Sequence, residues 1–320
     1  MHMNIPQILY ILTVPFGGLA LGYIFKLKGY LQGEWPNHIM RYVVMFISPV
    51  IMCISFWKLH IPNIKILTLP LVGLSVTLLS IPPAIFISSK YKLTRRQKGS
   101  VVTTAMFSNI GYTMGGFLAF VLLGEKAFNL TILYILYYSP FFYIVGFYMA
   151  ERYGLSGKNL IGEIIRKTFT QGIRLMPLLG LFIGGILSLS GVERPAIFYR
   201  INSILVPAAT FAILFAAGLN LRLSKIPQRL GICLWMSFIK FVYSPALALL
   251  LAYLLGYGAI DGGLPLKVVF IESSMPVAVS SLMLPSMFNL DQDISNFVWL
   301  FTTILLIPII PVIALILRAL

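Results

Sequence analysis

Charged side chains are scarce in this sequence, and their scarcity excludes a soluble domain. Asp, Glu, Lys and Arg make up 10% of the 320 residues, whereas 59% of the residues are hydrophobic. The mean hydropathy is +0.93. A soluble domain carries roughly 25% charged residues and roughly 45–50% apolar ones. Because no soluble core of this length could bury so much apolar surface, lipid must be the solvent for most of the chain. We therefore predict an all-α polytopic membrane protein.

Residues that carry catalysis or bind metals are also few. The two cysteines, Cys53 and Cys233, fall inside apolar stretches, so we interpret them as small packing residues rather than as a disulfide or a metal site. The three histidines lie near the N-terminus or in loops without metal-ligand spacing, and the sequence has no Walker A, GxSxG or CxxC motif. We expect neither an enzyme nor a primary pump, and no cofactor, with Na⁺ or H⁺ left open as a coupling ion.

Apolar stretches long enough to cross a bilayer recur along the chain. A helix needs roughly 20 apolar residues to do so. The first residues, MHMNIPQ, lack the basic segment of a signal peptide, so the first stretch is predicted to be a retained span. The loops are mostly short, which favours a single membrane domain. Ten spans are predicted, at 5–25, 40–57, 64–89, 99–122, 127–150, 173–191, 201–221, 230–256, 266–288 and 294–318.

Basic residues are distributed unequally between the two sets of loops. Sixteen of the 24 Lys and Arg residues lie in the loops that follow spans 1, 3, 5 and 7, and seven lie on the opposite side. Because cytoplasmic loops carry an excess of Lys and Arg, both termini are predicted outside the cytoplasm, in the plasma or inner membrane. The same rule accounts for the formal net charge of +15, so the bilayer rather than nucleic acid is the expected partner.

The two halves of the chain resemble each other. VPFGGLALGYIF in span 1 aligns with MPLLGLFIGGIL in span 6, so that Pro15 and Gly22 match Pro177 and Gly184 at one offset of 162 residues. Because each copy has five spans, the second must enter the membrane in the opposite orientation, which is a signature of secondary transporters. The predicted parts are a five-helix repeat at 1–150, a cytoplasmic connecting loop at 151–172 and an inverted five-helix repeat at 173–320.

Spans 4 and 9 each carry residues that interrupt a helix. Span 4 contains SNIGYTMGG at 108–116, and span 9 contains IESSMPVAV at 271–279. Backbone groups freed by such interruptions persist in a membrane only where protein or a polar cavity satisfies them. Broken helices form the binding site in inverted-repeat transporters, so helices 4 and 9 are predicted to be broken and to cross at the site. The alternative is a packing motif, because small residues let helix backbones approach closely.

Two charged residues lie well inside predicted spans, away from their ends. Glu272 is the one acid of nine within an apolar run, and Lys240 lies about 16 Å into span 8 at 1.5 Å per residue. A buried carboxylate is costly unless it is protonated, paired or bound to a cation. Glu272 is therefore predicted to carry a cation or a proton, with a structural hydrogen bond as the alternative. Lys240 is predicted to attract an anionic substrate, with an ion pair to Glu272 as the alternative.

The motifs of spans 4, 9 and 10 carry a family resemblance. In span 4, Asn109, Gly111 and Tyr112 fit an N-x-G-[FY] motif; span 9 contains Met275-Pro276, and SNFVWLFTTILLIPIIPV continues into span 10. These motifs resemble those of the auxin efflux carrier family. That family lies within the superfamily that also contains the bile acid:sodium symporters, in which span 9 carries a Glu where this chain has Glu272.

The resemblance implies a secondary transporter that moves a small organic anion by alternating access, with its site at the crossing of helices 4 and 9. It also implies that spans 3–5 and 8–10 form one domain and that spans 1, 2, 6 and 7 form the panel against which it moves. Association into a homodimer is left open. Substrate contacts are predicted for Asn109, Gly111, Tyr112, Met275, Pro276 and Lys240, and coupling to a cation or proton is predicted for Glu272, Ser108 and Ser274.

Two other functions are kept as alternatives. One is a sodium-coupled symporter of a larger organic anion, of the bile-acid-symporter type. The other belongs to a different class, a membrane sensor or scaffold that transports nothing. The expected mark of a sensor is a fused signalling domain or a long cytoplasmic loop, and neither is evident in this sequence.

The predicted orientation is testable with introduced cysteines. We expect a Gly258→Cys variant, in the loop after span 8, to react with a membrane-impermeant maleimide in intact cells. A Lys92→Cys variant, in the loop after span 3, should react only after permeabilisation. The unmodified chain, whose own cysteines lie in spans, is the control. Labelling of Lys92→Cys in intact cells would contradict the orientation.

Overall fold

The computed structural model describes residues 5–31, 33–154, 176–221 and 230–320. Within these ranges the chain is helical and contains no β-strand, which confirms the all-α prediction. The predicted connecting loop at 151–172 lies outside the described residues from residue 155 onward. The first three residues of the predicted sixth span, 173–175, lie outside them as well.

Seven of the described helices are long and apolar enough to cross a membrane, so the chain is a multi-pass membrane protein. They are α1–α3, α6, α8, α9 and α12 in the numbering that follows; the remaining helices are shorter. In chain order the helices are α1 Ile5–Leu27, α2 Trp35–Trp57, α3 Ile64–Lys90, α4 Arg95–Met106, α5 Met114–Leu123, α6 Glu125–Tyr153, α7 Met176–Leu189, α8 Ile197–Asn220, α9 Leu230–Leu254, α10 Leu264–Ser273, α11 Met283–Met287 and α12 Gln292–Ala319.

Two of the long helices widen locally just before a proline. In α2 a π-helical turn, Val43–Ile47, precedes Pro49, and in α9 a similar turn, Ile239–Tyr243, precedes Pro245. Proline has no N–H to donate, and its ring clashes with the carbonyl four residues earlier, so the preceding turn opens. Lys240 lies in the widened turn of α9.

The chain forms two compact units, and the first comprises the described residues of 5–62, 111–133 and 176–221. In this unit α1 packs along α8, and α7 packs along the second half of α2. Both contacts depend on glycine: a Cβ on Gly22 would overlap the carbonyl oxygen of Phe215, and a Cβ on Gly184 would overlap that of Cys53. Small residues of this kind let membrane helices approach backbone to backbone.

The second unit comprises residues 63–110, 134–154 and 230–320 of the described chain. Here α10 packs on the second half of α9, and α4 packs against the ends of α3 and α6 and against α12. Side chains fix where two of these helices begin. Thr94 and Gln97 form a reciprocal capping box at the start of α4, and Asp291 Oδ1 accepts a hydrogen bond from the Ile294 N–H at the start of α12.

The boundary between the units differs from the expected grouping of spans 3–5 with spans 8–10. Residues 111–133, which hold α5 and the start of α6, belong to the first unit. The physical reason is that the chain is not helical between Met106 and Met114, so α5 packs independently of α4. The ring of Phe117 in α5 lies 5.6 Å from that of Tyr10 in α1, and Thr210 Oγ1 of α8 donates to the Thr113 carbonyl oxygen at 3.1 Å.

Adjacent glycines in α7 provide a matched test of the close packing. We expect Gly184→Ala to lower the free energy of unfolding by roughly 1–3 kcal/mol, because the new methyl group overlaps the Cys53 carbonyl. Gly185→Ala should be neutral or stabilising, since its Cβ would lie 3.6 Å from the Phe56 ring, in ordinary contact. Thermal unfolding of both variants in detergent, followed by tryptophan fluorescence, measures the difference. Equal stability of the two variants would show that α7 does not approach α2 so closely.

Candidate functional site

The first break in a helix follows α4. The backbone turns extended at Phe107, with φ −107° and ψ 126°, and it becomes helical again only at Met114. Within this stretch Gly111 has φ +77°, a left-handed conformation that glycine adopts at low cost. Asn109 is 5% exposed. The sequence thus interrupts the helix with residues that favour non-helical backbone.

The second break follows α10, which ends at Ser273. Pro276 lies in this break and supplies a carbonyl acceptor without an N–H donor. The backbone is extended at Ala278, with φ −70° and ψ 140°, before a 3₁₀ turn, Val279–Leu282, leads into α11. Ser274 closes the end of α10, because its Oγ donates to the Phe270 carbonyl oxygen at 2.7 Å.

The two breaks pair with each other as a short antiparallel bridge. The Asn109 N–H donates to the Pro276 carbonyl oxygen at 2.8 Å, and the Ala278 N–H donates to the Phe107 carbonyl oxygen at 3.0 Å. Ser108 and Val277 lie opposite each other between these bonds. Such a position brings the two side chains close together. Each break therefore supplies hydrogen-bond partners for backbone groups that the other has freed from helix.

A hydroxyl of α12 completes the second break. The Val277 N–H donates to Thr302 Oγ1 at 3.3 Å. Thr302 also donates its own hydroxyl to the Val298 carbonyl oxygen at 2.9 Å, within its helix. One buried side chain thus connects α12 to the unwound backbone after α10.

Lys240 reaches the first break from α9. Its side chain is 1% exposed. Its Nζ donates to the carbonyl oxygens of Ala105 and Phe107, at 2.7 and 3.1 Å, and to Ser108 Oγ at 2.9 Å. These three acceptors belong to the end of α4 and the break that follows it, and none of them belongs to Glu272.

Glu272 lies in the last turn of α10 and is fully buried. It lines a small, partly enclosed cavity of about 10 Å³, enough for roughly one water molecule. The wall is rich in oxygen atoms. Besides Glu272, the polar residues that line the cavity are Thr77, Ser80, Ser108, Tyr134, Tyr137, Ser244 and Ser273.

A larger cavity of about 370 Å³ lies where α4 and α12 begin. It is open, and it is lined by side chains of both charges, including Arg96, Asp291 and Asp293. The Arg96 guanidinium donates to the backbone and side-chain oxygens of Asn289. Because this cavity surrounds helix ends rather than the interior of a span, it is a weaker candidate for the site than the paired breaks.

The structure brings most of the predicted site residues to the paired breaks. Asn109, Met275 and Pro276 lie in the breaks themselves, and Met275 is fully buried. Ser108 and Glu272 line the same small cavity. Gly111 and Tyr112 lie later in the first break, after the paired residues, and are grouped with the first unit.

Several residues around the breaks were not predicted from the sequence. They are hydroxyl-bearing side chains inside apolar helices, namely Thr77, Ser80, Tyr134, Tyr137, Ser244, Ser273 and Thr302. Hydroxyls commonly bond to the carbonyl one turn earlier, as Thr77 does to Gly73 and Ser80 does to Val76. Their presence in an apolar run is therefore no distinctive signal. Across the described ranges, no three His, Cys, Asp or Glu side chains come together as a metal-binding group would require.

Comparison with known proteins assigns the chain to a family. The chain is 25% identical to an uncharacterized transporter of Methanocaldococcus jannaschii over 297 residues, which cover 91% of this chain and 93% of the relative. It is 23% identical to an uncharacterized transporter of Methanothermobacter thermautotrophicus over 294 residues, covering 92% and 93% of the two chains. The family described as membrane transport protein matches residues 16–314. The chain therefore belongs to this membrane transport family, that of the auxin efflux carriers.

Proposed function

We propose that this protein is a secondary transporter that moves a small organic anion across the cell membrane by alternating access. The observation that carries the proposal is the pairing of two helix breaks, at Phe107–Asn109 and Pro276–Ala278, within a chain of membrane-spanning helices. Unwound backbone inside a membrane is tolerated only where it is buried in protein or lines a polar cavity. Carriers use it to bind solutes. Membership of a transport family supports the same conclusion.

Ten spans in two inverted repeats fit this proposal. If α4 with α5 and α10 with α11 are each counted as one broken span, the described helices amount to ten. Gly22 in α1 approaches α8, and Gly184, which follows it by 162 residues in α7, approaches α2. Under the proposed repeat these are spans 1 with 7 and 6 with 2, so the two contacts are equivalents. This correspondence supports an exchange of roles between mirrored halves.

The transported anion is proposed to bind at the paired breaks. Asn109, Met275 and Pro276 are proposed to contact it there, together with Gly111 and Tyr112, which follow Asn109 in the chain. The buried ammonium of Lys240 gives this region a positive charge, which favours an anion. The cavity beside Glu272 is far smaller than the roughly 300 Å³ at which small-molecule sites begin, so it suits an ion rather than the substrate.

The coupling ion, Na⁺ or H⁺, is proposed to bind at Glu272. The carboxylate, together with hydroxyls such as Ser108 and Ser244, forms a set of oxygen ligands of the kind that small hard cations prefer. Ser274 closes α10 through the hydrogen of its hydroxyl and keeps lone pairs on the oxygen. A proton on the Glu272 carboxylate would neutralise the same buried charge.

A thermal-shift screen tests the substrate class. A ligand that binds only the folded protein stabilises it, by about 2.7 kcal/mol at one hundred times its dissociation constant. We expect one or more small organic acids to raise the unfolding temperature of the purified protein. The screen is run in Na⁺ and in choline. Stabilisation by larger organic anions, and only in Na⁺, would favour the sodium-coupled symporter, and a flat response to every acid would favour the sensor or scaffold.

Site variants test the residues. With the acid identified in the screen as labelled substrate, Glu272→Gln and Asn109→Ala should each lower uptake into proteoliposomes by about tenfold or more, equivalent to roughly 1.4 kcal/mol. Glu34→Gln and Asn37→Ala, at an exposed hydrogen-bonded pair where α2 begins, are the matched controls and should transport normally. If both site variants transport as well as the controls, the assignment of the site to the paired breaks is wrong.

A further inference from the structure

The first break leaves carbonyl oxygens that need a donor. In a continuous helix the Asn109 N–H would bond to the Ala105 carbonyl oxygen, but it bonds instead to Pro276. The Ala105 carbonyl therefore loses its helical donor. In hydrocarbon an unsatisfied carbonyl costs several kcal/mol, and the last carbonyls of a helix also carry a partial negative charge. This end of α4 is a place where a cation is stabilised.

The ammonium of Lys240 occupies that place. An ammonium group has three N–H donors and no acceptor. Its three acceptors are the Ala105 carbonyl, the Phe107 carbonyl and Ser108 Oγ, at 2.7, 3.1 and 2.9 Å. All three hydrogens are thus engaged by the protein. The Phe107 carbonyl also accepts from the Ala278 N–H, so the ammonium contacts the hydrogen bonds that join the two breaks.

The same oxygens could hold a free ion. Two carbonyls and one hydroxyl at the negative end of a half-helix are the ligands with which unwound transporter helices coordinate Na⁺. A free cation and the ammonium would compete for them. The side chain of Lys240 is covalently fixed and fully enclosed, so the ammonium has the advantage at any ion concentration.

The second break differs from the first in the side chains that lie beside it. Under the proposed repeat, α3 is the counterpart of α9. At the repeat offset of 162 residues the position equivalent to Lys240 is Leu78, and the neighbouring Thr77 lines the small cavity beside Glu272. The described residues around that cavity include no Lys or Arg. Where the first break holds a lysine, the helix that leads into the second break ends in the Glu272 carboxylate. The cavity beside this carboxylate is lined by hydroxyls, including that of Ser108 from the first break.

We propose that the Lys240 ammonium is a tethered cation that permanently takes the place of a free monovalent ion at the first break, so that only the second break, beside Glu272, exchanges an ion with water. The first part stands on the contacts of Lys240 alone. The second part rests on the proposed function.

Chemical rescue tests the tethered cation. The side-chain atoms that Lys240→Ala removes correspond to propylammonium. Because the variant lacks both their volume and their charge, it should unfold several degrees below the wild type in choline chloride. Propylammonium chloride at the same concentration should restore most of that loss, because it returns both the volume and the charge. Propanol, which returns volume without charge, should not. The wild type and Lys240→Met, whose side chain fills the space, should not respond to propylammonium.

The same series contains the outcomes that overturn the proposal. The proposal is wrong if Lys240→Met is as stable as the wild type, or if propanol rescues Lys240→Ala as well as propylammonium does. It is also wrong if folded Lys240→Ala cannot be recovered in any of the salts. Recovery of folded Lys240→Ala from membranes in propylammonium but not in choline would support it.

A comparison of Na⁺ with choline tests the first break separately from the second. In a Glu272→Gln background, Na⁺ should raise the unfolding temperature of Lys240→Ala above its value in choline, and it should leave the protein that retains Lys240 unchanged. An equal response of both proteins to Na⁺ would overturn the claim that the ammonium fills the first ion position. None of these measurements uses transport. A failure here therefore leaves the proposed function standing if Glu272→Gln still lowers uptake as expected above.

Discussion

The need to satisfy every backbone N–H and C=O away from water governs this structure. A continuous helix meets it within one segment, and lipid offers no partner where a helix breaks. The breaks after α4 and α10 meet it by bonding to each other, from Asn109 to Pro276 and from Ala278 to Phe107. Neither break is complete alone, since each has backbone donors or acceptors whose hydrogen-bond partners the other break supplies. The pairing is therefore a condition for the breaks to exist, and the candidate site follows from it.

Side chains from two further helices form hydrogen bonds with backbone groups of the paired breaks. Lys240 of α9 bonds to the Ala105 and Phe107 carbonyls, and Thr302 of α12 accepts from the Val277 N–H. These two side chains differ chemically, because Lys240 carries an amino group and Thr302 carries a hydroxyl. The first break is therefore bonded to a basic side chain. The second lies beside the Glu272 carboxylate and a cavity with room for about one water molecule.

Much of the candidate site could be predicted from particular residues. Asn109, Gly111 and Pro276 disfavour helix by local chemistry that holds in any surroundings, and Glu272 and Lys240 stand out because charges are rare in apolar runs. The hydroxyls of Thr77, Ser80 and Thr302 could not be found in this way, since in a lone helix each would simply bond its own backbone. The grouping of α5 with α1 and α8 also escaped prediction, because the residues that predict the break do not reveal against which helices α5 packs.

The sequence by itself determined that the chain is a helical membrane protein, that two of its spans are interrupted, and to which family it belongs. These are properties of composition, of local backbone preference and of motif. Only the tertiary structure decided which break pairs with which, which oxygens hold the Lys240 ammonium, and that hydroxyls from α3, α6 and α9 share a cavity with Glu272. The reason is physical: these hydrogen bonds join residues more than 130 positions apart, and their partners are selected by how the helices pack rather than by any preference of the residues themselves.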